Sequence, residues 1–452
     1  RRPLVAGLVA GIAVIALAAV GIVVLDPFGG AGAPTDPPPV AAPAAQGLEQ
    51  VGRRTPTRPP KDEGYPTAPG PELIRIHDGV AYTAFHTSKS ISFTAFGLDT
   101  KAVVWERILR VPEDAIASIQ FEVVDGALVL ETQYPDGFVF TLGLNRDTGE
   151  TMWTLPQRVG CDRGCHYGDR LIAYDHDANQ QNAFDTRTGE RVWSVPERTD
   201  EPSYTWIPQE TLESLAAPGD PQDHPQRYVG HGQKATGHTR IIDTATGRIV
   251  GEGVLGEKVM NYVLVDDVLY VYRQTPRDLK AYKVTDLGTP LWTQSLPAAQ
   301  DGSALVACDE TTLCLTLLQG DARTLRAIDS ATGATRWETA EHPLTAPHGT
   351  RSVGGPIAVT TRDSTMLLDP GSGAVLEAFA APGYTYAGAG LLVLTTPDGP
   401  LAYDAARRAP ADLGPELGRG VDPATCVWAE KYATCADPDA DDWEVTFWRY
   451  GG

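Results

Sequence analysis

The sequence predicts an all-β protein: a β-propeller of four-stranded blades, preceded by one transmembrane helix and a proline-rich linker. Three observations lead to this prediction. A short motif, Asp-x-x-Thr-Gly-x-x-x-Trp, recurs along the chain, its copies lie about 40 residues apart, and the segments between them alternate and are rich in Val, Thr, Tyr and Trp. A four-stranded repeat of about 40 residues is the period of a propeller blade, and the alternation favours strands over helices.

The motif is complete at residues 185–193 and 329–337, and residues 145–153 repeat it with Asn in place of Asp. Asp or Asn caps its own turn, Gly supplies the positive φ of a tight hairpin, and Trp fills the space between neighbouring sheets. Each copy therefore predicts two antiparallel strands and a turn. Five weaker copies keep part of the frame: the one ending at Trp105, residues 243–247, 288–292 and 369–373, and the remnant beginning at Asp404.

The ends of the copies set the number of blades. They fall at positions 105, 153, 193, 251, 292, 337, 377 and 412. Eight copies favour eight blades, and seven is the alternative because the first and last copies are decayed. A propeller ring has to close, and the segment WEVTFWRY from Trp443 is predicted to be a strand that closes it. Residues 72–452 are therefore predicted to form one propeller domain.

These repeats resemble those of the PQQ-like (quinoprotein-type) β-propellers, whose consensus is Ala-x-Asp-x-x-Thr-Gly-x-x-x-Trp. The resemblance covers about residues 72–450 and implies the fold, whereas one fold hosts many activities. The quinoprotein dehydrogenases use PQQ, a bound Ca²⁺ and usually a disulfide between adjacent cysteines, and no two cysteines are adjacent here. Their calcium ligands and catalytic Asp do not match positions of this chain. No catalytic, cofactor-binding or metal-binding residue is therefore assigned, and no cofactor is expected.

The predicted transmembrane helix covers residues 4–25, which contain no charge and no Pro. A helix of this length spans roughly 33 Å, enough to cross a bilayer. Two arginines precede it and no basic residue follows before Arg53, so the positive-inside rule predicts a cytoplasmic N-terminus and an extracytoplasmic propeller. A signal peptide cleaved near residues 31–33 is the alternative, although its apolar region would usually be about 7–15 residues long. The chain starts with Arg, so a cytoplasmic domain before Arg1 also stays open.

Residues 26–71 are predicted to be a disordered linker. They hold 12 of the 36 prolines, with Ala, Gly and Thr between them. Such a segment buries too little apolar surface to fold, and it reaches at most about 140 Å at roughly 3.1 Å per residue. It is either a stalk that holds the propeller away from the membrane or a tether with no selected length.

The six cysteines form three close pairs in the sequence. An even number outside the membrane fits an oxidising compartment, and local pairing is the simplest of the 15 connectivities. Metal ligation is the rival interpretation, but there is no CxxC pair and the histidines are scattered. The predicted disulfides are Cys161–Cys165, Cys308–Cys314 and Cys426–Cys435.

Three further groups of residues have a spacing that a metal site can use. They are Asp175-x-Asp177-x-Asn179, Asp437-x-Asp439-x-Asp441, and the histidines His224, His231 and His238. The two acidic runs lack the glycine and the terminal glutamate of an EF-hand, and turns between strands are commonly rich in Asp and Asn. We therefore interpret the acidic runs as solvated turns and the histidines as exposed loop residues.

Charge and composition restrict the partners. The formal net charge is −21, and an acidic surface repels nucleic acid and anionic headgroups. Only eight of the 37 basic residues are Lys, and with the many Ala, Gly, Pro and Asp this composition resembles that of actinobacterial proteins.

Taken together, the sequence predicts a single-pass protein of the cell membrane whose propeller is extracytoplasmic and has no enzymatic activity. The propeller would bind protein, peptide or cell-envelope partners, and it resembles the BamB-type scaffold propellers that assist the assembly of envelope proteins. Two alternatives stay open. One is the sensor ectodomain of a receptor, and the other is a quinone- or metal-dependent redox enzyme.

Overall fold

The structure, a computed structural model, describes residues 49–54 and 73–449, apart from breaks in the connections between strands. The described residues form 37 β-strands and no α-helix, which confirms the all-β prediction. None of them belongs to a helix long and apolar enough to span a membrane, and the predicted transmembrane helix at residues 4–25 lies outside the described part of the chain. The longest breaks are 197–203, 211–226, 340–350, 412–425 and 437–443.

Strands β2 to β34 form eight antiparallel blades, numbered here in chain order. Blade one comprises β2 (Ile74–His77), β3 (Val80–His86), β4 (Ser90–Gly97) and β5 (Ala102–Arg110). Blade two comprises β6 (Ser118–Val124), β7 (Ala127–Gln133), β8 (Val139–Asn145) and β9 (Thr151–Thr154). Blade three comprises β10 (Val159–Gly160), β11 (His166–Tyr167), β12 (Arg170–Asp175), β13 (Gln180–Asp185) and β14 (Arg191–Pro196). Blade four comprises β15 (Tyr204–Glu210), β16 (Arg227–Gly232), β17 (His238–Asp243) and β18 (Ile249–Val254).

The second half of the ring repeats this arrangement. Blade five comprises β19 (Val259–Val265), β20 (Val268–Gln274), β21 (Arg277–Lys283) and β22 (Asp286–Ser295). Blade six comprises β23 (Asp301–Asp309), β24 (Thr312–Gln319), β25 (Ala322–Asp329) and β26 (Thr335–Glu338). Blade seven comprises β27 (Arg351–Ser352), β28 (Ile357–Thr360), β29 (Thr365–Leu368) and β30 (Val375–Phe379). Blade eight comprises β31 (Tyr384–Tyr386), β32 (Leu391–Thr396), β33 (Gly399–Asp404) and β34 (Ala409–Pro410).

A further four-stranded sheet, which we call the closing sheet, joins the two ends of the chain. It contains β35 (Cys426–Ala429), β36 (Tyr432–Ala436), β37 (Val445–Arg449) and the N-terminal strand β1 (Glu49–Arg54), in the order β35-β36-β37-β1. The segment predicted to close the ring does form a strand, β37, but it belongs to this additional sheet and not to one of the eight blades.

Strand β1 corrects the predicted extent of the linker. Residues 49–54 were assigned to the linker 26–71 on composition, and they are instead the outer strand of the closing sheet, paired with β37 from Glu49 opposite Arg449 to Arg54 opposite Val445. The composition of the whole segment hides this strand, because no proline falls within the sequence EQVGRR. The remainder of the linker, 26–48 and 55–71, lies outside the described residues.

The buried core lies between neighbouring sheets. Nine apolar clusters lie one at each junction around the ring, including those between blade eight and the closing sheet and between the closing sheet and blade one. At the junction of blades one and two, Phe93 and Phe121 are fully buried and meet edge to face with ring centroids 5.4 Å apart. The eight motif copies correspond one to one to the eight blades, so the prediction of eight motif blades is confirmed and the alternative of seven is excluded. The closing sheet carries no motif copy and is a ninth four-stranded sheet of the ring.

Blades four and five depart from the regular pattern. Their first strands, β15 and β19, pair in parallel, so the two blades share one eight-stranded sheet. Elsewhere in the described part of the chain, the blades meet through side-chain packing without forming a common sheet.

Candidate functional site: the motif-turn face

The motif turns join the third and fourth strands of each blade, and a second set of turns joins the first and second strands. In an antiparallel blade both sets lie at the same end of the strands, so they form one face of the ring. We call it the motif-turn face. In blade three, Oδ1 of Asp185 accepts hydrogen bonds from the backbone N–H groups of Arg187 and Thr188, both at 3.0 Å. Gly189 completes the turn with φ of 69°.

Charged side chains reinforce these turns. In blade six, the Arg336 guanidinium and then the Thr332 hydroxyl lower the pKa of Asp329 to about 2. Arg336 donates to Oδ2 of Asp329 at 2.6 Å and to the hydroxyl of Thr312 at 2.8 Å. The motif carboxylate of Asp329 is therefore held ionised by a structural contact.

The motif tryptophans connect each blade to the next. The indole Nε1 of Trp153 in blade two donates to the carbonyl oxygen of Thr186 in blade three at 2.9 Å. A Cβ atom added at Gly189 would lie 2.6 Å from the Trp153 ring, so only glycine lets the ring approach this closely. Glycine at this position thus serves both the turn and the contact between blades.

Five junctions carry this contact, each pairing a tryptophan with the motif glycine of the following blade. The pairs are Trp105–Gly149, Trp153–Gly189, Trp193–Gly247, Trp292–Gly333 and Trp337–Gly373. In every pair the indole also donates to a backbone carbonyl of the following motif turn, at 2.8–3.0 Å.

Two other junctions use different packing where the motif is decayed. At the junction of blades four and five, Gly251 replaces the tryptophan, and a Cβ there would lie 1.9 Å from the carbonyl oxygen of Val284. The shortened turn of blade five places Leu287, which is 2 % exposed, in that junction. Between blades seven and eight, Phe379 meets Tyr403 edge to face at 4.7 Å.

An ion network crosses blades one to three on the motif-turn face. Arg146, in the motif turn of blade two, lies 2.9 Å from a carboxylate oxygen of Asp78 and 3.9 Å from one of Asp125. His77 Nε2 lies 3.4 Å from Asp78 and 3.7 Å from Asp125, and Arg187 of blade three lies 3.9 Å from Asp125. The network connects three successive blades through groups that are far apart in sequence.

His77, Asp78 and Asp125 are the described residues whose ligand atoms lie near enough together to hold a metal ion, within 4.8 Å of one another. Both carboxylates are exposed, and the guanidinium of Arg146 already lies against them. A cation would compete with that guanidinium, so the arrangement is better suited to an ion network than to a metal site.

A second ion pair joins the first strands of blades one and two. The Arg75 guanidinium contacts both carboxylate oxygens of Glu122, at 2.6 and 2.8 Å, and lies 5.5 Å from the centroid of the Phe121 ring. A bidentate pair of this kind fixes orientation as well as charge. It therefore holds the two first strands in register near the inside of the ring.

Two of the three predicted cysteine pairs lie at disulfide distance. Cys308 and Cys314 connect β23 to β24, and Cys426 and Cys435 connect β35 to β36, where they are directly opposite each other. Each pair therefore crosslinks the first two strands of one sheet. Cys161 and Cys165 lie outside the described residues.

Of the acidic runs and histidines considered as metal ligands, the structure describes the run 175–179 except residue 176, and two of the three histidines. Oδ1 of Asp175 accepts the backbone N–H groups of Asp177 and Ala178, and the Tyr174 hydroxyl donates to Asn179, so this run forms the predicted turn. The run 437–441 and His224 lie outside the described residues, and His231 is in β16.

The expectation that the three histidines lie in loops is wrong for His231, which is in β16, and both the loop position and the exposure are wrong for His238. That residue lies in β17, is 7 % exposed, and has Nε2 3.2 Å from Glu252. The alternation of the strand around it, HTRIID, is the signal that indicates its burial.

Sequence reasoning did not find the Arg146 network. Asp78 and Arg146 are 68 positions apart, and their contact depends on the position of one blade beside the next. The signal that was present is local: the Asp-Gly pairs 78–79 and 125–126 mark the turns between first and second strands.

The fold and its junctions define the class of this protein, a β-propeller whose blades are joined through their motif turns. The sequence model of one family, described as outer membrane protein assembly factor BamB, matches residues 183–383. None of the curated proteins matches the chain.

Three solved structures illustrate the likeness in fold. The eukaryotic initiation factor is 13% identical, over 81% of this chain and 92% of its own, with a TM-score of 0.52. BamB from Moraxella catarrhalis is 15% identical, over 89% and 99%, with a TM-score of 0.44. The designed Ika8 protein is 11% identical, over 88% and 99%, with a TM-score of 0.46. At these identities the first likeness supports the propeller fold and nothing beyond it.

Proposed function

We propose that this chain is a non-enzymatic scaffold propeller, extracytoplasmic and tethered to the cell membrane, that binds protein or cell-envelope partners. The observation that carries the proposal is the match of residues 183–383 to the BamB family description, which names a factor that assists assembly. The matched region includes three of the five tryptophan–glycine junctions.

The chemistry of the motif-turn face supports a binding role. Several of its carboxylates, among them Asp185, Asp329 and Asp78, form caps and ion pairs that hold turns and blades in place. A ring fixed in this way presents its loops on a rigid frame, which is the arrangement that suits recognition of another macromolecule.

The membrane tether and the extracytoplasmic location are proposed mainly from the sequence. Residues 4–25 are long and apolar enough for a membrane span, and residues 26–48 provide a linker before the ring. The two cysteine pairs at disulfide distance agree with an oxidising compartment.

Location is tested by labelling intact cells with a membrane-impermeant maleimide. Val254, which is 62 % exposed on an outer strand, is replaced by Cys, and Val263, which is 2 % exposed, is replaced in a matched control. We expect the Val254→Cys protein to be labelled before lysis and the Val263→Cys protein to stay unlabelled. Labelling of Val254→Cys only after lysis would contradict the extracytoplasmic location.

The scaffold role is tested by native mass spectrometry of the full chain, with and without added PQQ and Ca²⁺, followed by photocrosslinking in intact cells. A crosslinker placed on the motif-turn face and one placed on the outer strands should give different adducts, and only one of the two positions should give a defined adduct. A quinone retained in stoichiometric amount, with turnover of an alcohol or sugar, would overturn the non-enzymatic role and favour the redox alternative.

A further inference from the structure

The outer edge of β37 holds a strand from the other end of the chain. β1 pairs with β37 on one side only, and the chain reaches blade one after a long connection. Of the six residues of β1, Val51 alone is buried, at 4 % exposed, while Glu49 and Gln50 are exposed. Few side chains of β1 therefore hold the strand in place, and their contacts determine which sequences can pair with the outer edge of β37.

Glycine is required at one position of this strand. A Cβ atom at Gly52 would lie 2.8 Å from Cζ of Phe96 and 3.6 Å from Cδ2 of Phe447. These two rings are stacked with centroids 4.4 Å apart across the junction of the closing sheet and blade one. A larger residue at 52 would have to displace a ring that is itself buried, so the edge selects glycine beside a small apolar residue.

Charge selects the two ends of the strand. Glu49 accepts from Arg449 at 3.2 Å and from Lys101 at 3.3 Å, and these basic groups lower its pKa, with Arg449 the larger cause. At the other end, Arg53 lies 3.0 Å from Glu444. The edge therefore recognises an extended segment with an acidic residue first, then an apolar residue and glycine, then a basic residue.

The connection after β1 is longer than those between the other neighbouring sheets of the ring. The others run from four residues, at 155–158, 255–258 and 380–383, to 15 residues, at 411–425. From Arg54 to Ile74 the same kind of connection has 19 residues, 55–73. Fully extended, it reaches at most about 65 Å. It therefore allows β1 to reach the edge of its own β37 or that of a neighbouring copy.

We propose that the outer edge of β37 is a strand-acceptor site, filled by the chain's own β1 and able to take the β1 of a second copy. The own strand is favoured in dilute solution, because it is tethered to its acceptor through the same chain, and a short tether gives an effective concentration in the millimolar range. Exchange with a second copy becomes important where copies are crowded, and it gives a symmetric dimer in which each ring is closed by its neighbour's strand.

The first test uses the full chain with a protease site inserted between Arg54 and Ile74. The protein folds intact, is then cut, and is incubated with a fluorescent peptide of residues 47–56. We expect saturable uptake of the peptide and release of the N-terminal fragment, followed by anisotropy and native mass spectrometry. The Gly52→Leu peptide should bind about tenfold more weakly or worse, since a steric cost of 1.4 kcal/mol is tenfold in affinity.

Charge exchange distinguishes recognition from nonspecific strand addition. The Arg53→Glu peptide should bind the cut wild-type protein more weakly and regain affinity on the cut Glu444→Arg protein. Equal binding of the wild-type and Gly52→Leu peptides, or no uptake of the wild-type peptide, would overturn the strand-acceptor site.

Occupation by a second copy is tested on uncut chains. Two full-length versions that differ in mass are mixed at increasing concentration and examined by native mass spectrometry. A mixed dimer that forms with the wild-type strand and is lost when both versions carry Gly52→Leu supports exchange. Monomers alone at the highest concentration, despite uptake of the peptide by the cut chain, would overturn occupation by a second copy.

Discussion

The indole ring of Trp193 in blade three lies against the backbone of Gly247 in blade four, where a Cβ atom would be 2.6 Å from the ring. Its Nε1 donates to the carbonyl oxygen of Thr244 at 2.8 Å, so one side chain fixes both the spacing and the rotation of the next blade. The motif thus encodes the junction as well as the hairpin. At five junctions, a blade is positioned in this way by the tryptophan of the blade before it.

The first prediction concerns Gly247→Ala. The alanine Cβ would meet the Trp193 ring, and the residue would have to keep φ at 70°. The left-handed conformation costs about 1 kcal/mol and the overpacking about 1–3 kcal/mol, so we expect a loss of about 2–4 kcal/mol. Urea unfolding measures the loss. The matched control is Gly383→Ala, where nothing lies within 4 Å of the added Cβ; that variant should stay within about 0.5 kcal/mol of wild type.

The second prediction is that restoring the motif residue by Gly251→Trp destabilises the ring. The space that tryptophan takes at other junctions is filled here by the backbone of blade five, with the Val284 oxygen 1.9 Å from the position of the Cβ. We expect a loss of about 3 kcal/mol, observed as a lower urea midpoint. Unchanged or increased stability would show that blades four and five can take the standard junction. Gly288→Ala is the control, because an added Cβ there would meet only a carboxylate oxygen of Asp286, at 3.4 Å.

The repeat predicted the blades because its residues act locally: Asp185 caps a turn three residues long, and the alternation around it specifies the strands on either side. It did not predict β1, because a six-residue strand in a proline-rich segment has no partner nearby in sequence. Its partner β37 is about 400 residues away, and pairing with it is settled by closure of the ring. The ion network around Arg146 was not predicted for the same reason, because neither Asp78 nor Asp125 shares a hairpin with Arg146.

The third prediction concerns acid. The Arg336 guanidinium is the main cause that lowers the pKa of Asp329 to about 2, against about 3.9 in an unfolded chain. A lowered folded pKa gives stability that is present above about pH 4 and is lost as the pH falls from about 4 to 2. Arg336→Gln should raise the pKa of Asp329, as measured by NMR titration. The difference in free energy of unfolding between Arg336→Gln and wild type should shrink as the pH falls from about 4 to 2.

A matched variant separates this effect from a general change in charge. Arg248→Gln removes one positive charge from an exposed position in the motif turn of blade four. Its stability difference from wild type should change much less between pH 4 and 2. An equal pH dependence in both variants would contradict a specific contribution from the Asp329–Arg336 pair.

The fourth prediction concerns the two disulfides described here. Each closes a short loop within one sheet, with sequence separations of 6 for Cys308–Cys314 and 9 for Cys426–Cys435. Crosslinking a loop this short removes little conformational entropy from the unfolded chain. Replacing either pair by Ala should therefore lower the free energy of unfolding by about 2–2.5 kcal/mol, measured by urea unfolding without reductant. The two losses should add within about 0.5 kcal/mol, because the pairs lie in different sheets and share no partners.

A much larger loss for Cys426 and Cys435 would mean that this crosslink also supports closure of the ring, since β35 and β36 carry the sheet to which β37 and β1 are added. Uptake of the β1 peptide by the cut chain lacking that disulfide would then separate the two effects: a lowered affinity would place the added loss at the strand-acceptor edge, and an unchanged affinity would confine it to β35 and β36.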